Sequence, residues 1–200
     1  MRTVRLGIAV VSVHTTLDAH PLGTNTTLAQ LLDIQVERPL VPSTDRDGYG
    51  IGIVGRLEQP LELGALAHRI AERLGTTVRY CSGATDCIER VALVAGSGAS
   101  MLEAARSAGV DAFITADVKY HTFHYASGQI ALIDAGHFEM EQHVPVTLAR
   151  IIEHLLERNG ISLEVIASTV KTSPIHTALP FPTDNQRSTI STIHADANQR

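Results

Sequence analysis

Tryptophan is absent from the 200-residue chain, aromatic residues amount to 4%, and there are only two cysteines, Cys81 and Cys87. Two thiols are too few for the disulfide framework of a small secreted domain or for a thiolate zinc cluster. Long apolar runs are missing as well. The stretch from Leu6 to Val13 is interrupted by Ser12 and ends at His14, far short of the ~20 residues that span a bilayer. It also lacks the small-residue cleavage site of a signal peptide, so the expected location is cytoplasmic, with no membrane partner. Positive charge is scarce: 16 Lys and Arg stand against 21 Asp and Glu, for a net charge of -5. A nucleic-acid backbone is therefore not the expected partner, because binding one needs a basic face; a local basic groove stays open.

What is present describes a globular protein with an aliphatic core. Hydrophobic residues make up 44% and charged residues 18%, which excludes a disordered chain. The length suits one substantial domain or two small ones. Ten histidines against two cysteines tilt any metal site toward nitrogen and oxygen ligands.

The hydrophobic pattern predicts alternating strands and helices. Strands are expected at Val4 to Val13, Ile51 to Leu57, Thr77 to Tyr80, Val91 to Ala95, Ala112 to Thr115, Ile130 to Asp134 and Ile161 to Ser168. Helices are expected at Thr26 to Leu32, with Asn25 or Thr26 as N-cap, at Leu63 to Leu74 closed by Gly75, through the Ala-rich stretch to Ala108, and at Pro145 to Glu157. Loop signals accumulate between Pro39 and Gly50. The fold class that follows is α/β, a layered sandwich with a mixed, partly parallel sheet flanked by helices. Residues 1–179 form the expected domain, and the polar composition of 180–200 reads as a disordered tail.

Chemistry concentrates in three segments, each just past an expected strand, where α/β sheets gather their ligand sites. The first, His14-Thr15-Thr16-Leu17-Asp18, presents an imidazole and a carboxylate; a buried histidine and a turn or capping aspartate are the structural alternative. The second runs from Thr115 through Asp117 and Lys119 to His121. A helix starting at Asp117 would set Asp117 and His121 on one face, while Asp117 as a plain N-cap is the structural alternative. The third is Asp134-Ala135-Gly136-His137-Phe138-Glu139-Met140-Glu141. Four residues apart, His137 and Glu141 would aim at one point from any helical turn, a spacing suited to one cation; an acidic first helical turn is the other reading. The Gly96-Ser97-Gly98 turn has Met101 where a third glycine or alanine would complete a dinucleotide fingerprint, so it reads as a tight β-α connection, with backbone N–H groups offered to a phosphate as the alternative.

Taken in order, His14-Thr-Thr-Leu-Asp18, Gly96-Ser-Gly98, Thr115-Ala-Asp-Val-Lys-Tyr-His121 and Gly136-His-Phe-Glu-Met-Glu141 resemble the dinuclear-metal-centre proteins named GTP cyclohydrolase 1 type 2 homologues, also called the NGG-interacting factor three-like family. The resemblance extends from about Val4 to about Pro174. It implies an α/β fold, divalent metal ions (zinc, iron, manganese or nickel) and a ring-like homo-oligomer. The implied metal ligands are Asp18, His137 and Glu141, with His14, Asp117 and His121 near the site. Thr16, Ala116 and Met140 stand where the family usually has Asn, Gly and Thr. The family's N-terminal His-His-Pro motif has no counterpart in the 200 residues, which implies one metal with several waters rather than a full dinuclear centre, and some exposed apolar surface. The reaction implied is hydrolysis of a small-molecule nucleotide or phosphate compound by metal-activated water. A noncatalytic metal-binding or scaffold protein is the competing class.

Overall fold

The structure is a computed structural model that describes residues 2–177. It divides into two units, Met1–Thr169 and Val170–Arg200. In the second unit, residues 170–177 carry no regular secondary structure. The anticipated tail from 180 and its boundary at 179 lie outside the described residues.

The first unit is built on a six-stranded mixed sheet. Its strands are β1 (Ile34–Pro42), β2 (Gly50–Glu62), β3 (Arg79–Cys81), β4 (Cys87–Leu93), β5 (Ala112–Thr115) and β6 (Ala131–Asp134). Their spatial order is β1-β2-β4-β5-β6-β3. The β4-β5 and β5-β6 pairs are parallel and the others antiparallel. The α/β reading with a partly parallel sheet therefore holds.

Side-chain alternation loads both faces of the sheet. On β5, Ala112 and Ile114 join one apolar cluster while Phe113 joins the other; on β6, Ala131 and Ile133 oppose Leu132 in the same way. Both strands are buried throughout, as parallel strands covered on two sides must be. One face is covered by α3 (Thr24–Leu31) and α4 (Leu63–Leu74), whose Leu28, Leu66 and Ile70 are fully buried. The other is covered by α5 (Leu102–Ser107) and α6 (Tyr120–Ala126), through Leu102, Ala105 and Ala126. Helix α4 ends where Gly75 adopts φ 65°, a left-handed conformation that glycine reaches at little cost.

Several expectations need correction. Residues 4–13 do not form a strand: α1 (Arg2–Arg5) is followed by Gly7 at φ 66° and an irregular stretch in which Val10 and Val11 are 76% and 82% exposed. Apolar content alone does not make a strand when no neighbour pairs with its backbone. Residues 161–168 carry no strand either. Conversely, β1 lies within the stretch read partly as loop. It tolerates Pro39 and Pro42 because it is the outer strand of the sheet, where a missing N–H breaks no ladder on the solvent side. Helix α3 starts at Thr24 after Gly23, so neither Asn25 nor Thr26 is its N-cap. A 3-10 turn, Ala99–Met101, precedes α5.

Candidate functional site

Because β4, β5 and β6 run parallel, the loops leaving their C-terminal ends emerge side by side. Leu93 pairs with Ile114 and Thr115 with Asp134. Beyond these ends, Ala116 N–H donates to Gly96 O (2.9 Å) and Ala135 N–H to Thr115 O (2.9 Å). The Gly96 turn, Asp117 and His137 are thereby gathered at one edge of the sheet, which is why three segments distant in sequence meet.

Asp134 organises this edge from below. It is buried, pairs with Arg79 at 2.5 Å, and accepts hydrogen bonds from Val118 N–H (3.1 Å) and Gly136 N–H (3.2 Å). Gly136 at φ 80° then starts α7 (His137–Glu141), a single turn that sets His137 and Glu141 on one face. His137 Nε2 lies 3.5 Å from Glu141 Oε1. On the other side of the ring, His137 Nδ1 donates to Asp117 Oδ2 at 2.6 Å. Asp117 does not start or cap a helix, contrary to both sequence readings. It sits at φ 54° ahead of α6, whose N-cap is Lys119. A left-handed aspartate is strained backbone, held here because its side chain is tied to the imidazole.

Asp117 fixes the chemistry of the ring. A carboxylate only accepts, so Nδ1 carries the proton and the Nε2 lone pair of a neutral His137 faces the Glu141 carboxylate. Two acceptors in contact need a proton or a cation between them. With a proton, His137 is an imidazolium. The Asp117 hydrogen bond raises its pKa, the charges of Glu141, Asp117 and Glu139 add to this, and partial burial opposes it. The Glu141 pKa is also raised, first by burial, then by the charges of Asp18 and Asp117, against the pull of His137 and His14.

Gly96 makes room for this pair. Its φ is 65°, and a Cβ there would overlap Glu141 Oε1 and stand 3.2 Å from His137 Nε2. Thr115 locks the turn from beneath: buried, its hydroxyl donates to Gly96 O (3.0 Å) and accepts from Gly98 N–H (2.9 Å).

The opposite wall of the cleft is helical. Helix α2 (His14–Asp18) presents His14 and Asp18 to the same cavity, of about 360 Å³, that His137 and Glu141 line. Asn25 ties the two walls together. Buried within α3, its amide donates to Asp18 O (2.9 Å) and its carbonyl accepts from Ala95 N–H (2.8 Å). Asp18 thus reaches the cleft from a short helix, not from a strand end. His121 is not brought there; it faces a shallow surface depression with Glu103 and Tyr125.

Asn25 and Gly96 are the contributors that sequence reasoning missed. Asn25 had a signal, a polar residue inside an apolar helical stretch, but capping explained it. Gly96 belongs to a motif of the resemblance, but its role in clearing space for the His137–Glu141 pair has no signal in the sequence.

Comparison with known proteins places the chain in a family. Residues 1–174 match the family model described as Duf34/NIF3 (NGG1p interacting factor 3). The chain belongs to the Duf34/NIF3 family. It is 36% identical over 178 residues to a GTP cyclohydrolase 1 type 2 homolog of Streptomyces coelicolor, covering 86% of this chain and 62% of that one. The homolog of Clostridium acetobutylicum is 33% identical over 177 residues, covering 87% of this chain and 66% of that one. The chain therefore spans less than two thirds of the length of these Duf34/NIF3 relatives. The fold is shared with the Staphylococcus aureus protein SA1388, at TM-score 0.76 and 22% identity over 88% of this chain and 70% of that one. The Bacillus cereus protein related to NIF3 also has TM-score 0.76, at 17% identity, covering 88% of this chain and 75% of that one.

The donor set of the cleft, imidazole nitrogens and carboxylate oxygens, suits a divalent cation in kind. In number the set is sparse: among the described residues no three His, Cys, Asp or Glu side chains gather closely enough to hold an ion. Of the three expected ligands, His137 and Glu141 are in contact among the described residues, and Asp18 lines the same cavity. No helix among the described residues is long and apolar enough to cross a membrane.

Proposed function

We propose that this Duf34/NIF3 member binds one divalent cation in the cleft, through His137 Nε2 and Glu141 Oε1 with Asp18 as third ligand, and that hydrolysis of a nucleotide or other phosphate compound is the chemistry served. The observation that carries the reading is the 3.5 Å approach of Nε2 to Oε1 over a glycine that leaves both exposed to the cleft. Zinc, iron, manganese and nickel all suit these ligands. When bound, such a cation acidifies water and neutralises phosphate oxygens.

The chain's own residues do the rest. Asp117 keeps the proton on Nδ1 and so keeps Nε2 available, the arrangement in which a carboxylate orients a ligating imidazole. Glu141, half shielded from water, supplies a carboxylate whose charge a cation would stabilise. Asn25 holds the backbone of Asp18 at a fixed distance from the Gly96 turn. The ring-like homo-oligomer implied by the family resemblance belongs to the same proposal.

Metal content and titration with Zn2+ or Mn2+ test the assignment. His137→Ala, Glu141→Ala and Asp18→Ala should each lower bound metal, and Asp117→Asn should weaken affinity about 10- to 100-fold. Unchanged metal content in His137→Ala and Asp18→Ala would remove the ligand assignment. Affinity should also fall as pH drops below the raised pKa of His137, because binding displaces a proton from Nε2.

The sparse donor set favours a second reading, a metal-binding protein without hydrolytic activity. Ring-opening of GTP, followed as formate release by the metal-loaded chain, separates the two: metal bound without turnover supports the noncatalytic protein.

A further inference from the structure

A second concavity lies between α3 and α8 (Val144–Arg158), away from the His137–Glu141 pair, with a volume of about 390 Å³. It is within the size range of small-ligand sites. Its charge runs against that of the chain. Arg150, His154 and Arg158 line it, and among the described residues no carboxylate does, although the chain carries a net charge of -5.

The helix explains the alignment. Positions 150, 154 and 158 are four apart, so the three side chains form one row over two turns, about 12 Å long. Ile151 and Leu155 run beside that row, and Leu22 and the Thr26 and Thr27 side chains lie across the groove. Among the described residues neither arginine has a carboxylate within ion-pair distance. His20 closes one end; its Nδ1 accepts from Leu22 N–H (3.0 Å), so Nε2 is left carrying a proton to donate.

We propose that this groove is a ligand site for an organic phosphate monoester with an apolar body. One guanidinium satisfies the two oxygens of a carboxylate. Two unpaired guanidinia with imidazole and hydroxyl donors suit a dianion with three terminal oxygens. The Ile151, Leu155 and Leu22 side chains give the apolar body a surface, and free phosphate would leave that surface wet. The site needs no metal and does not rest on the cation reading of the other cleft.

Phenyl phosphate is the probe, with inorganic phosphate and phenol as controls, titrated calorimetrically into the full chain with chelator present. Phenyl phosphate should bind saturably with one site per chain, and more tightly than either control. Arg150→Gln and Arg158→Gln should each weaken it about tenfold or more. Both side chains are exposed and unpaired, so circular dichroism should show these variants folded. Ile151→Ala should weaken phenyl phosphate while leaving inorganic phosphate unaffected, and His137→Ala should leave phenyl phosphate binding intact. The proposal is overturned by absence of saturable binding, by affinity unchanged in both arginine variants, by equal affinity for inorganic phosphate, or by loss of binding in His137→Ala.

Discussion

Helices α4 and α8 are both strongly amphipathic, yet the fold uses them differently. Leu63, Leu66, Ala67, Ile70 and Leu74 of α4 are all buried against the sheet. In α8 only Thr147 is buried, and Val146 and Leu155 are 48% and 49% exposed. Periodicity marks which face of a helix is apolar; it does not say what covers that face. α4 follows β2 directly and lies on the sheet. α8 is held at its start, where His143 Nε2–H donates to Thr24 O at 3.2 Å and Thr147 Oγ1–H donates to His143 O.

The largest effect should come from emptying the packed face. Ile70→Ala removes a fully buried side chain and should cost about 2–5 kcal/mol in urea unfolding. A loss under 1 kcal/mol would mean that α4 is not the packed partner in the comparison.

Helix ends give the next contrast. Gly75 and Gly160 both follow their helices in the left-handed region, at φ 65° and 64°, with nothing within 4 Å of a built Cβ. Gly75→Ala should therefore cost about 1 kcal/mol from backbone strain alone. Gly160→Ala should cost less, because the end of α8 can fray without disturbing the core. Equal costs would show that α8 is as firmly docked as α4.

Protonation probes the anchor of α8. Burial lowers the His143 pKa below the usual imidazole value, against a smaller contrary pull from Thr24 O. Among the described residues its buried Nδ1 has no hydrogen-bond partner. The folded state thus prefers neutral His143. That contribution is complete above the unfolded pKa of about 6.5 and is lost as pH falls below it. His137 has the opposite sign: its raised pKa contributes stability at low pH that is lost as pH rises above about 6.5 through the folded value. The slope below pH 6.5 should flatten in His143→Gln relative to the unaltered chain. An identical slope would take His143 out of the account.

The smallest effect is expected on the open face. Leu155→Ala should change stability by no more than about 0.5 kcal/mol, as exposed substitutions do. A larger loss would reveal a covered surface there and erase the contrast with α4.

The same contrast explains what the sequence made legible. Helix α4 was readable residue by residue, because its period, its Gly75 stop and its burial all agree. Strand β5 was readable to its ends, since a short apolar run between turn signals has few alternatives. Residues 4–13 and 161–168 misled because β-branched content reports capacity to pair, and pairing depends on a neighbour that local pattern does not specify. Within the site, the 137/141 spacing foretold a shared direction, and the contact of Nε2 with Oε1 agrees with it. The Asp117–His137 contact was not foreseen, because it arises from the parallel register of β5 and β6. Asn25 escaped notice for a related reason: its two partners lie 7 and 70 residues away.

The prolines of β1 carry a consequence beyond the loss of ladder donors. An outer strand nine residues long is a template on which a second chain can grow. Pro39 and Pro42, with Glu37 and Arg38 beside them, deny an incoming strand a continuous row of amides and place charge in its path. At the far side of the sheet, β3 offers only three residues. Both margins of the sheet are thus poor seeds for fibrils, which keeps edge-to-edge stacking from competing with folding at high concentration.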